Sequence, residues 1–311
     1  MSSSEDSTIA VTRTRDWSLL SSIKVPIPKP VGRPSGDTAP LGSAPSGVND
    51  FAVHPSMKLM ISVGKGEKSM RLWNLVTGKK AGVLNFERGI LGEVGEGKYS
   101  SGEGRKVAWG ATDVGEEFCV GFERGILVFG MDSKPKCKVV PEPKTKIHEL
   151  CYVQVGDEED VQVLAVSTED GRILFYSTRP AYLMAAKGKE ATLASAKLIA
   201  QLGGKDVKLS GRIKDFRILN NGEGSIKDLI VLTAGSDGTI RIWKLAAIDL
   251  SSHVGKAKQV GELLGTYETP NRITCMETFI MLPKKEGAED ETIEDFEGFE
   301  DAEENSSSDS D

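Results

Sequence analysis

Six basic residues are the part of this sequence best suited to binding chemistry. Arg105, Lys146, Arg212 and Arg272 each stand just ahead of a short stretch that reads as a β-strand, and Lys106 and Lys214 lie close by. If the fold gathers those strand starts at one rim, the cations would steer an acidic peptide or an RNA backbone. The plainer alternative is ordinary solvated loop charge, and the residues alone leave both open. Catalytic sets are missing from the pattern. There is no Gly-x-Ser-x-Gly elbow, no His-Glu-x-x-His and no phosphate-binding loop. The Gly-rich run from Gly92 to Gly97 lacks a Lys-Ser/Thr pair, and its glutamates would repel phosphate. Three histidines (His54, His148, His253) and four cysteines (Cys119, Cys137, Cys151, Cys275) show no C-x-x-C spacing. They read as buried, reduced thiols of an intracellular protein, without a zinc site. The expectation is a non-enzyme with no catalytic residue, no metal and no cofactor.

What must position the basic residues is an internal repeat. The stretch Ala234-Gly235-Ser236-Asp237-Gly238-Thr239-Ile240-Arg241-Ile242-Trp243 combines a tight turn with an alternating strand that closes on an aromatic. It recurs as Glu67 to Trp73, Glu123 to Phe129 and Asp170 to Tyr176, with a worn copy at Asp6 to Thr12. In all of them an acid precedes an aliphatic residue (Ile9, Met70, Ile126, Ile173, Ile240) by three places. Such sheets bury both faces only by stacking around an axis, so the fold class is all-β, a WD40-type β-propeller. Trp73, Phe129, Tyr176 and Trp243 are then packing wedges, and Asp170 and Asp237 turn formers. In the strand after Gly238, Ile240 and Ile242 are expected inside and Arg241 outside. Innermost strands are expected at Val48 to Val53, Arg105 to Trp109, Lys146 to Leu150 and Arg212 to Ile218, with a last one, Arg272 to Phe279, that no turn copy follows. That makes four full blades, a hairpin remnant in front and one strand behind. Rings of this type close with about seven blades, so the count predicts an incomplete or N-terminally truncated ring.

The expected organisation is a partial N-terminal blade over 1–24, a Pro-rich loop over 25–46, propeller blades over 47–282 and a disordered acidic tail over 283–311. The net charge of −7 is segregated, because the tail from Glu286 onward carries acids and no basic residue. Ser306 and Ser308 each have an acid three places later and are possible phosphorylation sites. Tyr182 to Ala200 is rich in Ala and Lys and reads as a short helix or a mobile loop. No apolar run reaches bilayer length, and the N-terminus has no signal-peptide core, so no membrane partner is expected.

Several motifs in order carry a family resemblance. They are Arg15-Asp16-Trp17, Val53-His54-Pro55-Ser56, Met70-Arg71-Leu72-Trp73-Asn74-Leu75 with Gly78, Leu202-Gly203-Gly204, Gly211-Arg212-Ile213-Lys214-Asp215-Phe216 and Arg272-Ile273-Thr274-Cys275. Together they resemble the fungal maintenance-of-killer WD-repeat proteins and their animal counterparts, the p21-activated-kinase-interacting proteins. The resemblance implies a non-catalytic scaffold in the nucleus and nucleolus, acting in large (60S) ribosomal subunit biogenesis and pre-rRNA processing. Its implied partners are pre-60S assembly proteins or, alternatively, a p21-activated kinase that it restrains; direct RNA contact stays open. Relative to that pattern the usual Gly-His dipeptide is missing, Trp-Asp is replaced by Trp73-Asn74 and Trp243-Lys244, and the tail is acidic rather than Lys-rich.

Overall fold

Each repeat copy is a turn before it is a strand. In the computed structural model, which describes residues 1–27, 46–97, 100–155, 162–186, 192–207, 211–220, 228–251 and 257–280, Asp237 Oδ1 accepts the Thr239 N–H at 3.1 Å and its hydroxyl at 2.6 Å. Gly238 between them takes φ +84°, and Gly171 takes φ +82° in the copy headed by Asp170. The worn copy makes the same turn with a less suitable residue. Asp6 Oδ1 accepts the Thr8 N–H at 3.0 Å, and Ser7 holds φ +63° where the copies headed by Asp170 and Asp237 have glycine. That region disfavours a residue with a Cβ. Ser7 is retained by tertiary contact, since its hydroxyl accepts the Gly47 N–H at 2.8 Å.

The strands form five antiparallel meanders among the described residues. The first sheet is β1 (Ser2–Ser3), β2 (Thr8–Thr12) and β3 (Leu19–Lys24), so it has three strands where a hairpin was expected. The second is β4 (Val48–Val53), β5 (Leu59–Gly64), β6 (Ser69–Asn74) and β7 (Lys79–Asn85). A short helix, α1 (Arg88–Glu93), leads to the third: β8 (Lys106–Thr112), β9 (Gly115–Gly121), β10 (Ile126–Gly130) and β11 (Pro135–Val139). The fourth is β12 (Ile147–Gln154), β13 (Gln162–Thr168), β14 (Arg172–Ser177) and β15 (Lys197–Gly203). The fifth begins with β16 (Ile213–Asn220), β17 (Asp228–Gly235) and β18 (Thr239–Ala246). After α2 (Ala247–Ser251) the chain crosses back, and β19 (Lys258–Val260) pairs parallel with β15 of the fourth sheet. It then returns as β20 (Glu262–Glu268), the outer strand of the fifth. This excursion ties two neighbouring sheets at their outer edges.

Four apolar clusters hold the sheets together, one between each successive pair. Ile9 and Ile23 meet Met60 and Trp73. Ile61 and Met70 meet Phe118, Leu127 and Phe129. Ile126 and Val128 meet Leu174 and Tyr176. Ile173 and Phe175 meet Phe216, Trp243 and Leu245. Trp73, Phe129, Tyr176 and Trp243 therefore face the preceding sheet, while in the first three of these copies the apolar residues one and three places earlier face the following one. Period-two alternation produces this directly.

Several expectations are corrected. The aromatic ends the third strand of its sheet, not the blade, because an outer fourth strand follows in four of the sheets. Ile242 is not inside: it is 38% exposed, since no described sheet packs on the face of the fifth sheet that carries it. Over 182–200 the described part is not a helix; a single 3-10 turn at Pro180–Tyr182 is followed by a bridge between Met184 and Ser195 and then by β15. The start of the Gly-rich run, in contrast, lies in α1, whose Leu91 is buried in the cluster between the second and third sheets. The stretch from Arg272 to Phe279 forms no strand. Cys119 and Cys137 are buried as free thiols, but Cys275 is exposed.

Met1–Thr278 make one compact unit; of the second, Phe279–Asp311, only Phe279 and Ile280 are described, and both are exposed. Ser306, Ser308 and most of the Pro-rich loop lie outside the described residues. No helix among the described residues is long and apolar enough to cross a membrane.

Candidate functional site

The turn between two sheets delivers each rim cation, because it ends just before the innermost strand begins. Arg105 and Lys146 immediately precede β8 and β12, and Arg212 immediately precedes β16. Glu123 lies between the first two: one of its oxygens is 3.8 Å from the Arg105 guanidinium and the other 3.8 Å from the Lys146 ammonium. Arg105 also has Glu103 at 4.0 Å. Arg212 Nε is 2.8 Å from Glu169. Lys214 and Arg272 form no ion pair with a described residue.

These charges sense one another. Burial, followed by the positive charge of Arg272, Arg212 and Lys146, lowers the Lys214 ammonium below its ordinary range. His148, on β12, is pushed down to about 4 by burial and then by Lys214, against an opposing pull from Glu169, with Lys146 and Arg212 adding smaller depressions. Its Nε2 is shielded from solvent and has no hydrogen-bond partner. Lys146, Arg212 and Lys214 thus act on one imidazole and Arg272 on Lys214, and Glu123 links Lys146 to Arg105.

Lys106 does not join this group. Its ammonium is 2.6 Å from Glu149. Burial alone would lower it, but Glu149, Asp50 and Asp215 outweigh burial and hold it above its ordinary value. This deeper layer joins the sheets through acids. Asp50 Oδ2 accepts the Val107 N–H of the next sheet at 3.0 Å, and burial raises its carboxyl to about 6 despite the nearby Lys106. Asp215 Oδ2 accepts the Met276 N–H at 2.8 Å, and its Oδ1 takes the Arg217 guanidinium at 2.7 Å. Arg217 also pairs with Glu277 at 2.9 Å. The reading from sequence missed Asp50, Glu149 and Asp215, although a signal existed: each directly precedes the same inner-strand position, held by Phe51, Leu150 and Phe216.

The aromatic wedges sit apart from the rim. Trp73 and Trp243 are buried, and each indole N–H has a hydroxyl partner: Ser62 Oγ at 2.8 Å and Thr233 Oγ1 at 3.3 Å. Phe129 stacks on Phe118 with ring centroids 5.2 Å apart, and Tyr176 is buried. Asp170 pairs with the buried Arg172 at 2.7 Å, and Asp237 with Arg241 at 3.4 Å. No group of His, Cys, Asp and Glu among the described residues is arranged to hold a metal ion.

Comparison with known proteins matches residues 214–244 to the family described as WD domain, G-beta repeat. Protein MAK11 of Saccharomyces cerevisiae is 26% identical over 278 residues, covering 89% of this chain and 55% of that protein. The p21-activated protein kinase-interacting protein 1-like of Gallus gallus is 24% identical over 280 residues, covering 90% of this chain and 56% of that protein. Residues 214–244 match a WD repeat, and along about nine-tenths of its length the chain is similar to these proteins. It spans little more than half the length of these relatives. One solved structure, described as the mitotic checkpoint complex, superposes with a TM-score of 0.52 at 9% identity, covering 88% of this chain and 62% of its own. That likeness concerns the fold alone. A WD repeat accounts for the turn, the wedge and the sheet order, but not for the cations at the rim.

Proposed function

We propose that this WD-repeat chain is a non-catalytic scaffold in large ribosomal subunit biogenesis and pre-rRNA processing, working in the nucleus and nucleolus. The observation that carries the reading is the similarity to MAK11, which runs along 89% of the chain rather than through one repeat. The geometry is in keeping with it, because the residues that recur are spent on turns, wedges and sheet joints. What is left for a partner is surface, and the cation cluster at Lys146, Arg212, Lys214 and Arg272 suits an acidic one. Contacts of this kind weaken with salt, since exposed charges are screened over about 8 Å at physiological ionic strength.

The test is fractionation of tagged protein on a sucrose gradient. The expected result is co-sedimentation with large-subunit precursors, and its loss, with thermal stability unchanged, in the Arg212→Glu/Arg272→Glu double variant. Sedimentation only at the top of the gradient would remove the reading. The second reading is a signalling adaptor that binds and restrains a p21-activated kinase, favoured by the name of the Gallus gallus relative. Capture of a kinase regulatory segment by protein that stays off the precursors would favour it.

A further inference from the structure

The cluster around His148 is not evenly neutralised. Its cations are Arg105, Lys146, Arg212, Lys214 and Arg272; its carboxylates are Glu103, Glu123 and Glu169. Among the described residues, Arg212 is held by Glu169, and Arg105 and Lys146 share Glu123, while Lys214 and Arg272 have no carboxylate of their own. Two positive charges are therefore left over, and they belong to the two side chains closest to each other in effect, since Arg272 is the strongest of the charges acting on Lys214. Lys146, two places earlier on the same chain segment, and Lys214 both act on His148, whose Nε2 is shielded and unpartnered.

We propose that Lys214, Arg272 and His148, flanked by Lys146 and Arg212, form a site for the phosphate-monoester dianion of a phosphorylated peptide. The donor set fits. A guanidinium offers a planar fork, an ammonium a point charge and an imidazole a single directed N–H, and a monoester has three terminal oxygens to receive them. The charge count fits too. A monoester carries close to two negative charges at neutral pH, matching the two uncompensated cations, whereas each phosphodiester of an RNA backbone carries one and spreads them along an extended strand. A carboxylate of an acidic peptide would neutralise half of the excess. The binding step is non-covalent: Lys214 and Arg272 meet the dianion first, and the His148 ring turns to bring its shielded Nε2, as an N–H donor, to it.

This inference deepens the acidic-partner reading of the rim, and the experiment separates the two. The full chain is titrated with a Gly-Gly-phosphoserine-Gly-Gly peptide, the same peptide unphosphorylated, inorganic phosphate and a single-stranded RNA oligonucleotide. The His148 ring resonance, assigned by its loss in His148→Gln, is followed by NMR. The phosphopeptide and inorganic phosphate should both move it in a saturable way, with the phosphopeptide binding at least tenfold tighter than its unphosphorylated form. Lys214→Met/Arg272→Met should lose at least tenfold in phosphopeptide affinity at an unchanged melting temperature. Lys134→Met, a surface control with a side chain 83% exposed, should lose nothing. Equal binding of the two peptides overturns the proposal, as does RNA moving the His148 signal when the phosphopeptide does not. The wild-type resonance decides the matter even if a variant fails to fold. If the phosphopeptide fails while Arg212→Glu/Arg272→Glu still leaves the precursors, the phosphate site falls and the acidic-partner reading stands; the reverse pattern removes that reading and keeps the site.

Discussion

The fourth and fifth sheets carry the same repeat with opposite consequences. Asp170 to Tyr176 and Asp237 to Trp243 align residue for residue, so Phe175 corresponds to Ile242 and Tyr176 to Trp243. Every residue of β14 is buried. In β18, burial survives at Thr239, Trp243 and Leu245, while Ile242 and Lys244 are exposed. The half that faces the preceding sheet is the same in both, and the half that faces forward is not. Identical local patterns thus give a two-faced core where a sheet follows, and a one-faced core where none of the described sheets does. The exposed apolar side chains of β20, Leu263, Leu264 and Tyr267, continue the contrast on the fifth sheet.

The largest expected effect tests that contrast directly. Phe175→Ala should cost about 3–5 kcal/mol, because a large ring leaves a closed cavity. Ile242→Ala, at the equivalent position, should cost under about 1 kcal/mol, since a half-exposed side chain gives up little burial. Urea unfolding of the two variants gives the comparison, and equal losses would break it.

A smaller difference separates the two turn acids. Asp170→Ala removes a turn former and also leaves the guanidinium of the buried Arg172 without its carboxylate, so about 2–3 kcal/mol is expected. Asp237→Ala removes the Thr239 contacts and a pairing with the more exposed Arg241, and about 1 kcal/mol is expected. If Asp237→Ala proves the costlier of the two by the same measurement, burial is not what distinguishes the turns.

The last comparison is one of pH, between the fourth sheet and the second. The folded-state value of His148 is about 4, below the roughly 6.5 of an unfolded chain. The unfolded state therefore takes the proton first, and the stability contributed is complete above pH 6.5 and falls as pH drops towards 4. Hydrogen exchange across that window should show β12 and β13 losing protection, with less loss in His148→Gln. A bound dianion at the rim would oppose the trend by favouring the protonated ring. Asp50 acts in the opposite direction: its carboxyl is raised to about 6, so the second sheet gains stability as pH falls from 6 towards 4. Opposite slopes in the two regions would sharpen the picture, and parallel slopes would contradict it.

What could be read from the residues was local. An Asp-Gly turn fixes its own geometry, as Asp237 and Gly238 do, and strict alternation fixes which side chains share a face. Hence the positions of β4, β5, β17 and β18 and the burial of Trp73, Phe129, Tyr176 and Trp243 were legible in sequence. The outer strands β7, β11, β15 and β20 were not. They carry no turn signature of their own, and β15 follows a segment whose Ala and Lys content suggested a helix; pairing with β14 overrides that propensity.

The candidate site divides along the same line. That basic residues recur ahead of inner strands is a property of the sequence. That Lys146, Arg212, Lys214 and Arg272 share one electrostatic neighbourhood while Lys106 turns inward to Glu149 was decided only by tertiary structure. Neighbouring residues on a strand point to opposite sides, and a shift of one position exchanges rim for interior. Composition fixed the amount of charge; the packing of one sheet against the next chose which charges were neutralised and left Lys214 and Arg272 without a carboxylate among the described residues.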